Sequence, residues 1–569
     1  MSIVYNPVVS AQSGDYHGKA LVGTHSAIIG WSFNDETLRK GLHGFAIKRL
    51  DYDRATGELL RLDWLKGYKR FKETDAGHAD EVSSLQAPFQ RFRWNDYTLR
   101  PDRYYQYEVH PMRGKPGNLV REEKPLIFDV CPSLEDQDDL GVYVNRGVTA
   151  AMAYLQRFKN QPPDEVGEAA YRWLSRGLKE SLLNFIDSAK PGEALHVCIY
   201  EFFDHQVAAA FKAALDRGVL VEIAHDAKKN KHSTEKNFHV LEEHGLKPPV
   251  SFPRTTVNIS HNKIVIKLVN GKPTEVWTGS ANFSENAFNF QTNCALVLRD
   301  ASALKYFEEY FQALKLNPAK AKSKDINRDI VDRADAEANR FAERNFFSPL
   351  RSNDIIECSV DMIKAAKSAV LISAPFGLHK DMVAALHGNS PKMLEYGLVN
   401  AAAKRKIETL HKNNTRFFPP KKLVTYLGRK WDAKAFGAHK IHAKTMVVDP
   451  FGDNPLVLNG SANFSKPSCQ DNDENAMYIT GNKRLAAIFT TEFMRMYDHY
   501  KSRYYIDLFN EKNKQIRKEN KLRAQQGKPL KKLKTMDKYL KSDESWSKTS
   551  YDPTSSSHKY RDRIVFSGG

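Results

Sequence analysis

The chain has 569 residues, of which 41% are hydrophobic. This length is too great for one ordinary domain and predicts two to four folded units. Its 86 Lys and Arg residues against 68 Asp and Glu residues give a net charge of +18. This charge favours a polyanionic partner, either nucleic acid or an anionic membrane surface, with solubility alone as the alternative. No run of about 18 apolar residues indicates a membrane span, and the first residues lack a secretory-signal pattern, so we expect a cytoplasmic location.

Residues 1–135 alternate short apolar runs with turn residues. Period-two segments rich in Tyr, Phe, Val and Ile, such as "RYYQYEV" at 103–109, are separated by Gly and Pro. This pattern predicts a β-sandwich-like domain. We expect it to be an accessory domain that binds a protein partner or positions substrate. The alternative is that it only stabilises the rest of the chain.

From about residue 140, helical and strand patterns alternate. The segment "DHQVAAAFKAALDRG" predicts a helix capped by Asp204 and ended by Gly218, between the apolar strands "LHVCIYEF" and "VLVEIAHD". This βαβ pattern predicts a mostly parallel sheet with helices on its faces. The same alternation of helix and strand patterns begins again after a charged linker at about 316–345, which indicates duplication of a whole domain. We place one α/β half at 136–320 and the other at 321–510.

Basic residues are concentrated in two segments. Within a predicted C-terminal extension, 511–569, residues 511–541 contain twelve Lys or Arg and three acidic residues. They indicate either an arm along a phosphate backbone or a solvated helix and linker. A Lys-rich insertion at about 380–436 includes Phe417 and Phe418, which we expect to stack on bases. The last residues, 555–569, predict a returning strand.

Five cysteines are scattered along the chain, with no Cys-x-x-Cys pair to indicate cysteine-bound zinc or dithiol redox chemistry. We expect reduced, mostly structural thiols. They are Cys131, Cys198, Cys294, Cys358 and Cys469.

One sequence motif, the repeated phrase, occurs twice in the chain. "HNKIVIKLVNGKPTEVWTGSANFS" begins at His261, and "HAKTMVVDPFGDNPLVLNGSANFS" begins at His442, 181 residues later. Each starts His-x-Lys and reaches an identical Gly-Ser-Ala-Asn-Phe-Ser. The second copy has Asp449 where the first has Leu268.

We interpret each copy as strand, turn, strand. Residues i and i+2 of a strand face the same side, so His261 lies beside Lys263, and His442 beside Lys444. The returning segments bring Asn282 and Asn463 next to them. Two copies related by an approximate two-fold axis supply two imidazoles, two ammonium groups and two amides. That set suits phosphodiester cleavage by a nucleophilic histidine and an acid–base histidine, with neither metal nor other cofactor required.

These motifs resemble the phospholipase D superfamily, whose signature is His-x-Lys-x4-Asp followed by Gly-Ser-x-Asn, present twice per site. The resemblance covers roughly residues 140–510. It implies two fused α/β/α sandwich halves with pseudo-two-fold symmetry. The full match is His442, Lys444, Asp449, Gly460, Ser461 and Asn463, and the partial match is His261, Lys263, Gly279, Ser280 and Asn282, with Leu268 as the departure.

The resemblance also implies residue roles. A carboxylate downstream of each Gly-Ser-x-Asn tends to orient the histidine of the opposite half, and Glu474 is the candidate for His261. We place its counterpart at Thr292, which has no charge. This asymmetry favours His261 as nucleophile and His442 as acid, although the reverse stays open. Asp449 is included among the catalytic residues, and Ser280 and Ser461 are expected to bind substrate.

The superfamily acts on phospholipid head groups, joins lipids, or cuts DNA or RNA, so the fold leaves the substrate open. The charge and basic segments favour a nuclease, with DNA preferred over RNA as partner. A phospholipase D or phosphatidyltransferase acting on anionic phospholipid is the alternative. A third interpretation is a non-catalytic scaffold protein that binds phosphate groups.

Overall fold

The computed structural model describes residues 4–75, 77, 81–147, 152–159, 161–229, 232–337, 344–400, 415–420, 425–426, 429–430, 440–535, 539–555 and 557–568. The chain divides into two compact units. The first comprises Met1–Leu134, Pro391–Leu394 and Ala487–Gly569, and the second comprises Glu135–Ser390 and Glu395–Ala486. Both copies of the repeated phrase therefore lie within the second unit.

The first unit contains two antiparallel sheets that share one core, which confirms the predicted β-sandwich-like region. Ile29 and Trp31 of one sheet and Tyr105 and Phe128 of the other are buried in the same cluster. One sheet has the strand order Val8–Ser13, Tyr16–Val22, Ala27–Phe33 and Arg93–Asp96. The other has the order Asn118–Arg121, Arg103–Lys115, Gly44–Asp53 and Leu59–Trp64, with Leu126–Val130 also paired to Arg103–Lys115. Smaller elements are the hairpin of Lys66–Gly67 with Val82–Ser83 and the 3-10 helices Glu36–Arg39 and Lys72–Thr74.

The C-terminal residues belong to this unit instead of forming an extension of their own. Trp546 and Tyr551 are buried in the sandwich core. The predicted final strand is wrong, because the chain forms a helix there whose buried Arg563 and Phe566 are three residues apart on one helical face. The helical elements of this part are Lys483–Gln525, Glu544–Ser547, Lys548–Tyr551 and Lys559–Ser567.

The second unit contains two sheets that share the same order of seven strands, which confirms the duplicated α/β fold. In the first half the order is Leu140–Val144, Cys294–Leu298, Lys272–Gly279, Lys263–Val269, Ala194–Ile199, Leu220–Asp226 and Ser251–Arg254, with Asp136–Gln137 beside Leu140–Val144. In the second half it is Arg344–Ser348, Glu474–Thr480, Leu456–Gly460, Lys444–Val448, Ala369–Ser373, Leu394–Leu398 and Thr415–Phe418. Short paired segments are Gln291–Thr292 with Lys440–Ile441, and Thr425–Tyr426 with Arg429–Lys430.

Both sheets are mixed, so the prediction of a mostly parallel sheet is wrong. Leu220–Asp226 is parallel to each of its two neighbours, because helices connect these strands. Lys263–Val269 and Lys272–Gly279 are antiparallel, since Asn270 and Gly271 adopt positive φ and turn the chain back as a hairpin. The repeated phrase is thus a hairpin in each half, as predicted.

Helices pack on both faces of the first sheet. Leu178–Asp187 and His205–Asp216 cover the face that carries Leu195 and Val197. On the other face His196 stacks on Phe311 of helix Ala301–Lys315, with ring centroids 4.4 Å apart. Further helices of this unit are Met152–Phe158, Pro163–Val166, Glu168–Ser175, His232–Glu243, Asn286–Phe290, Lys320–Ala336, Asp354–Ala365, Lys380–Gly388 and Lys466–Gln470.

The structure bears on several local predictions. Asp204 caps helix His205–Asp216 by accepting from two backbone N–H groups, as predicted. The charged linker at 316–345 is largely the helix Lys320–Ala336. Phe417 and Phe418 are each 1% exposed in a sheet strand, so the expectation that they stack on bases is wrong. Within the insertion, residues 401–414, 421–424, 427–428 and 431–436 lie outside the described residues.

All five cysteines are buried and free. Within the described ranges, no helix combines the length and the apolar character needed to cross a membrane.

Candidate active site

The two copies of the phrase meet across the boundary between the halves. The backbone N–H of His261 donates to the carbonyl of Asp473 at 2.8 Å, and that of His442 donates to the carbonyl of Thr292 at 3.1 Å. These contacts are equivalent under the offset of 181 residues. Each histidine is therefore held by the opposite half, in a pseudo-two-fold arrangement.

The two lysines lie at the starts of equivalent central strands. Lys263 begins Lys263–Val269 and Lys444 begins Lys444–Val448. Both are 0% exposed. The Nζ atom of Lys444 lies 3.2 Å from Nε2 of His442, and Lys263 contacts the carbonyl of His261. His261 and His442 are only 7% and 8% exposed, so the site brings two cations and two imidazoles together in a nearly dry environment.

Different groups orient the two histidines. Nδ1 of His261 lies 2.7 Å from Oε2 of Glu474, whereas Nδ1 of His442 lies 2.9 Å from Oδ1 of Asn293. The amide of Asn293 is fixed with its oxygen toward His442, because its nitrogen donates to the carbonyl of Ala287 at 2.8 Å. Both imidazoles thus carry a proton on Nδ1, which leaves Nε2 for chemistry.

The counterpart of Glu474 is therefore Asn293, and the sequence-based choice of Thr292 is wrong. The offset of 181 residues leads from position 474 to position 293. Thr292 contributes instead through its backbone carbonyl, which accepts from the N–H groups of His442 and Ala443. The uncharged counterpart of Glu474 is thus one residue after the predicted Thr292, and its side chain is an amide instead of a hydroxyl. The predicted difference in charge between the two halves still holds.

Ser280 and Ser461 do not face substrate as expected. Both are 0% exposed. The hydroxyl of Ser280 donates to Oδ1 of Asn293, and that of Ser461 donates to Oε2 of Glu474, each at 2.8 Å. These serines position the two groups that hold the histidines, because a hydroxyl committed to a buried acceptor has no proton left for substrate.

Glu201 was not found from the sequence. Its Oε2 accepts from the Nδ2 of Asn282 at 2.6 Å, and its negative charge raises the pKa of Lys263 and Lys444 against the effect of burial. It follows strand Ala194–Ile199 outside both motifs, which is why motif reading missed it. In the second half the corresponding loop carries Phe376, whose ring centroid is 6.5 Å from that of His442. Phe376 is 66% exposed.

Burial and like charge set the electrostatics of the site. Desolvation, together with Lys263 and Lys444, holds the pKa of both histidines well below the usual value. Burial lowers the pKa of Lys263 to about 8 and that of Lys444 well below its usual value, and it raises the pKa of Glu474 to about 7. The site thus favours neutral imidazoles.

A protein-family model described as "Cardiolipin synthase, PLD-like domain" matches residues 182–315 and 360–497. These two segments contain the paired histidines, lysines and asparagines. Both halves belong to the phospholipase D superfamily. The reaction of this superfamily is phosphodiester cleavage, by hydrolysis or by transfer.

No curated protein matches the chain. Among solved structures it is similar to a polyphosphate kinase from Porphyromonas gingivalis, with 14% identity over 54% of this chain and 46% of that one and a TM-score of 0.36. It thus spans less than half of that kinase. It is also similar to a phosphatidylserine synthase from Haemophilus influenzae, with 11% identity over 57% and 85% of the two chains and a TM-score of 0.43. A third is a phospholipase D family member, Nuc, from Salmonella typhimurium, with 26% identity over 24% and 87% and a TM-score of 0.21.

Asp449, part of the phospholipase D superfamily signature, does not lie with the catalytic groups, so its predicted catalytic role is wrong. It follows the far end of strand Lys444–Val448, roughly 16 Å from Lys444 at ~3.3 Å per residue. Its carboxylate accepts from the backbone N–H groups of Lys367, Ser368 and Ala369 at 2.7 to 3.0 Å. Asp449 therefore holds the turn that leads into the neighbouring strand.

The first half meets the same need differently. Its equivalent turn is held by Glu193, whose carboxylate accepts from the N–H of Lys190 at 2.9 Å. Leu268, at the position of Asp449, is 4% exposed and opposite Ala194 in the sheet. The departure from the phospholipase D signature at Leu268 thus concerns a turn and leaves the reacting groups intact.

Proposed function

We propose that this site hydrolyses phosphodiester bonds of nucleic acid through a covalent phosphohistidine on His261. One observation carries the proposal: the two histidines have unequal partners, a carboxylate at His261 and an amide at His442. A carboxylate stabilises the positive charge that an imidazole gains when Nε2 bonds to phosphorus. An amide oxygen orients its histidine with much less stabilisation of that charge, which suits a group that must give up its proton.

In the first step Nε2 of His261 attacks phosphorus, and the bond from phosphorus to the leaving oxygen breaks. His442 transfers a proton from Nε2 to that oxygen. In the second step the now neutral His442 takes a proton from water, the water oxygen bonds to phosphorus, and the bond between phosphorus and nitrogen breaks. The products are an alcohol and a phosphate monoester, and both histidines return to their starting states.

Binding of the substrate determines the protonation state of His442. Burial, together with the positive charges of Lys444 and Lys263, holds the pKa of His442 well below its usual value. A bound phosphodiester anion would neutralise part of that field and raise the pKa of His442, so that it is protonated when substrate arrives. In this mechanism the two lysines, with Asn282 and Asn463, hold the non-bridging oxygens.

Support for nucleic acid comes from the first unit. After helix Lys483–Gln525 the chain turns back and runs along that helix. Asn513 binds both backbone groups of this return, accepting from the N–H of Lys534 and donating to its carbonyl, and Asn520 does the same with Lys531. These pairs fix residues 512–534 as a hairpin with a defined conformation.

This hairpin displays ten Lys or Arg side chains, on the end of the helix and on the returning segment. Within the described part of the chain, Lys531 is the one that pairs with a carboxylate, that of Glu519 at 2.6 Å. A ridge of uncompensated cations attracts a phosphate backbone without regard to sequence. Residues 512–534 of the predicted basic segment are therefore an ordered positive surface.

A phospholipid substrate is the second candidate. The matching family model bears the name of cardiolipin synthase. In addition Leu522, Leu530 and Leu533 of the same hairpin are 59%, 62% and 42% exposed. Leucines next to lysines suit the interface of an anionic bilayer. Nucleic acid remains our proposal, because the ten Lys and Arg residues of this hairpin outnumber its three exposed leucines.

The test uses purified protein and the variant His261→Ala, both in EDTA, with supercoiled plasmid, single-stranded DNA, RNA and anionic phospholipid vesicles. Cleavage of a nucleic acid by the wild type alone supports the proposal and selects DNA or RNA. Release of head group from vesicles with intact nucleic acid would overturn it in favour of a lipid enzyme. Binding without turnover of any substrate would identify a scaffold.

A further inference from the structure

A cluster of imidazole and carboxylate groups lies on the surface of the first half, where two helices meet. His205 is the first residue of helix His205–Asp216. Glu243 is the last residue of helix His232–Glu243, and His244 follows it. One ligand atom from each of these three side chains lies within 4.8 Å of the other two. Neither repeated motif includes them.

The separations of these atoms suit one metal ion. Nδ1 of His205 lies 3.1 Å from Nε2 of His244 and 3.8 Å from Oε2 of Glu243. Zinc binds imidazole nitrogen and carboxylate oxygen at about 2.0–2.2 Å in a tetrahedron, so two of its ligands lie about 3.3 Å apart. An ion therefore fits among the three groups with side-chain adjustments alone.

A fourth ligand is within reach. His239 lies one helical turn before Glu243, and its Nε2 is 3.6 Å from Oε2 of Glu243. Its side chain is 77% exposed, so it is free to rotate toward an ion, and water can fill the position otherwise. The ligands would then come from both helices, with the spacing His-x3-Glu-His on the second one.

We propose that His205, Glu243 and His244 form a binding site for Zn²⁺, with His239 or water as the fourth ligand. Two imidazoles disfavour Ca²⁺ and Mg²⁺, which take oxygen ligands, and one carboxylate with two imidazoles suits zinc. The ion ties the start of one helix to the end of the other. Its expected effect is on thermal stability, because the cluster contains none of the groups that carry out phosphodiester cleavage.

The experiment uses the full chain, stripped with EDTA, dialysed, and titrated with ZnCl₂ by calorimetry at pH 7.5. We expect one zinc per chain and a Tm that rises by a few degrees with zinc. The double variant His205→Ala/His244→Ala should bind at least about tenfold more weakly, with the zinc-dependent rise in Tm lost.

The matched control is His232→Ala, which removes an exposed histidine from the start of the same helix. It should bind zinc as the wild type does. The melting curve of the zinc-free double variant, compared with that of the zinc-free wild type, reports whether it folds. Absence of zinc binding by the wild type, or equal affinity in a folded double variant, would overturn the proposal.

Discussion

The two halves of the catalytic unit share their strand order, their His-x-Lys strand and their Gly-Ser-Ala-Asn turn, yet they differ where the histidines are oriented. Glu474 of the second half holds His261, and Asn293 of the first half holds His442. The carboxyl and amide groups have nearly the same shape and receive the same hydrogen bond from a serine. Under our proposal, a change of charge at one equivalent position gives the two copies of a duplicated fold different chemical roles.

The largest effect should come from removing each histidine. His261→Ala should lower turnover by roughly 10⁴-fold or more for every substrate, as expected for loss of a nucleophile. His442→Ala should cost about 10² to 10⁴-fold for a poor leaving group. It should cost much less for a p-nitrophenyl phosphodiester, whose leaving group needs no proton. Rates measured with both substrates test the assignment, and rescue of His261→Ala instead would reverse the roles.

The next effect concerns the group that differs between the halves. Glu474→Gln should lower kcat/KM by roughly 10² to 10⁴-fold, since the neutral amide no longer supports the positive imidazole. In the wild type, kcat/KM should rise as pH increases through about 7, where Glu474 loses its proton, and fall above about 8, where Lys263 loses its charge.

Measured pH profiles decide this point. The limb near 7 should be absent from the profile of Glu474→Gln. Asn293→Ala serves as the matched variant in the other half, and its profile should keep that limb. An unchanged profile in Glu474→Gln would show that another group titrates there.

The turn residues should affect folding and leave chemistry nearly unchanged. Asp449→Ala removes the acceptor of three backbone N–H groups and should cost about 2–4 kcal/mol of unfolding free energy. Leu268→Asp places a carboxylate at a site that is 4% exposed, and should cost about 3 kcal/mol. Urea unfolding checks both values. A large loss of kcat in folded Asp449→Ala would restore a catalytic role for that residue.

Among the variants expected to affect catalysis, the smallest loss of kcat/KM is expected at Glu201. Glu201→Gln keeps a partner for Asn282 but removes a negative charge near the two lysines, and should reduce kcat/KM by about tenfold. The basic limb of the pH profile should move to lower pH, because Lys263 then loses its proton more easily. Rates of Glu201→Gln and Glu201→Ala across pH 6–9 test this. A basic limb that does not move would limit Glu201 to orienting Asn282.

The sequence by itself determined the family, the duplicated α/β fold, the two His-x-Lys pairs and the carboxylate at Glu474. These features are local patterns: a strand fixes the relation of residues i and i+2, and an exact repeat fixes equivalent positions. The same reasoning identified the cap of the helix at Asp204, since capping depends on neighbours in the chain.

Only the tertiary structure decided which groups meet across the two halves and which are buried. Glu201 reaches the site through its hydrogen bond with Asn282, 81 residues away in the chain. The 181-residue offset points to Asn293, but its contact with His442 of the opposite half is tertiary. Asp449 belongs to the signature but is carried to the far end of its strand. Phe417 and Phe418 look like base-stacking residues and are core residues, because burial depends on sheet packing. Hydrogen-bond partners and exposure are set by long-range packing, and a pattern of neighbouring residue types does not encode them directly.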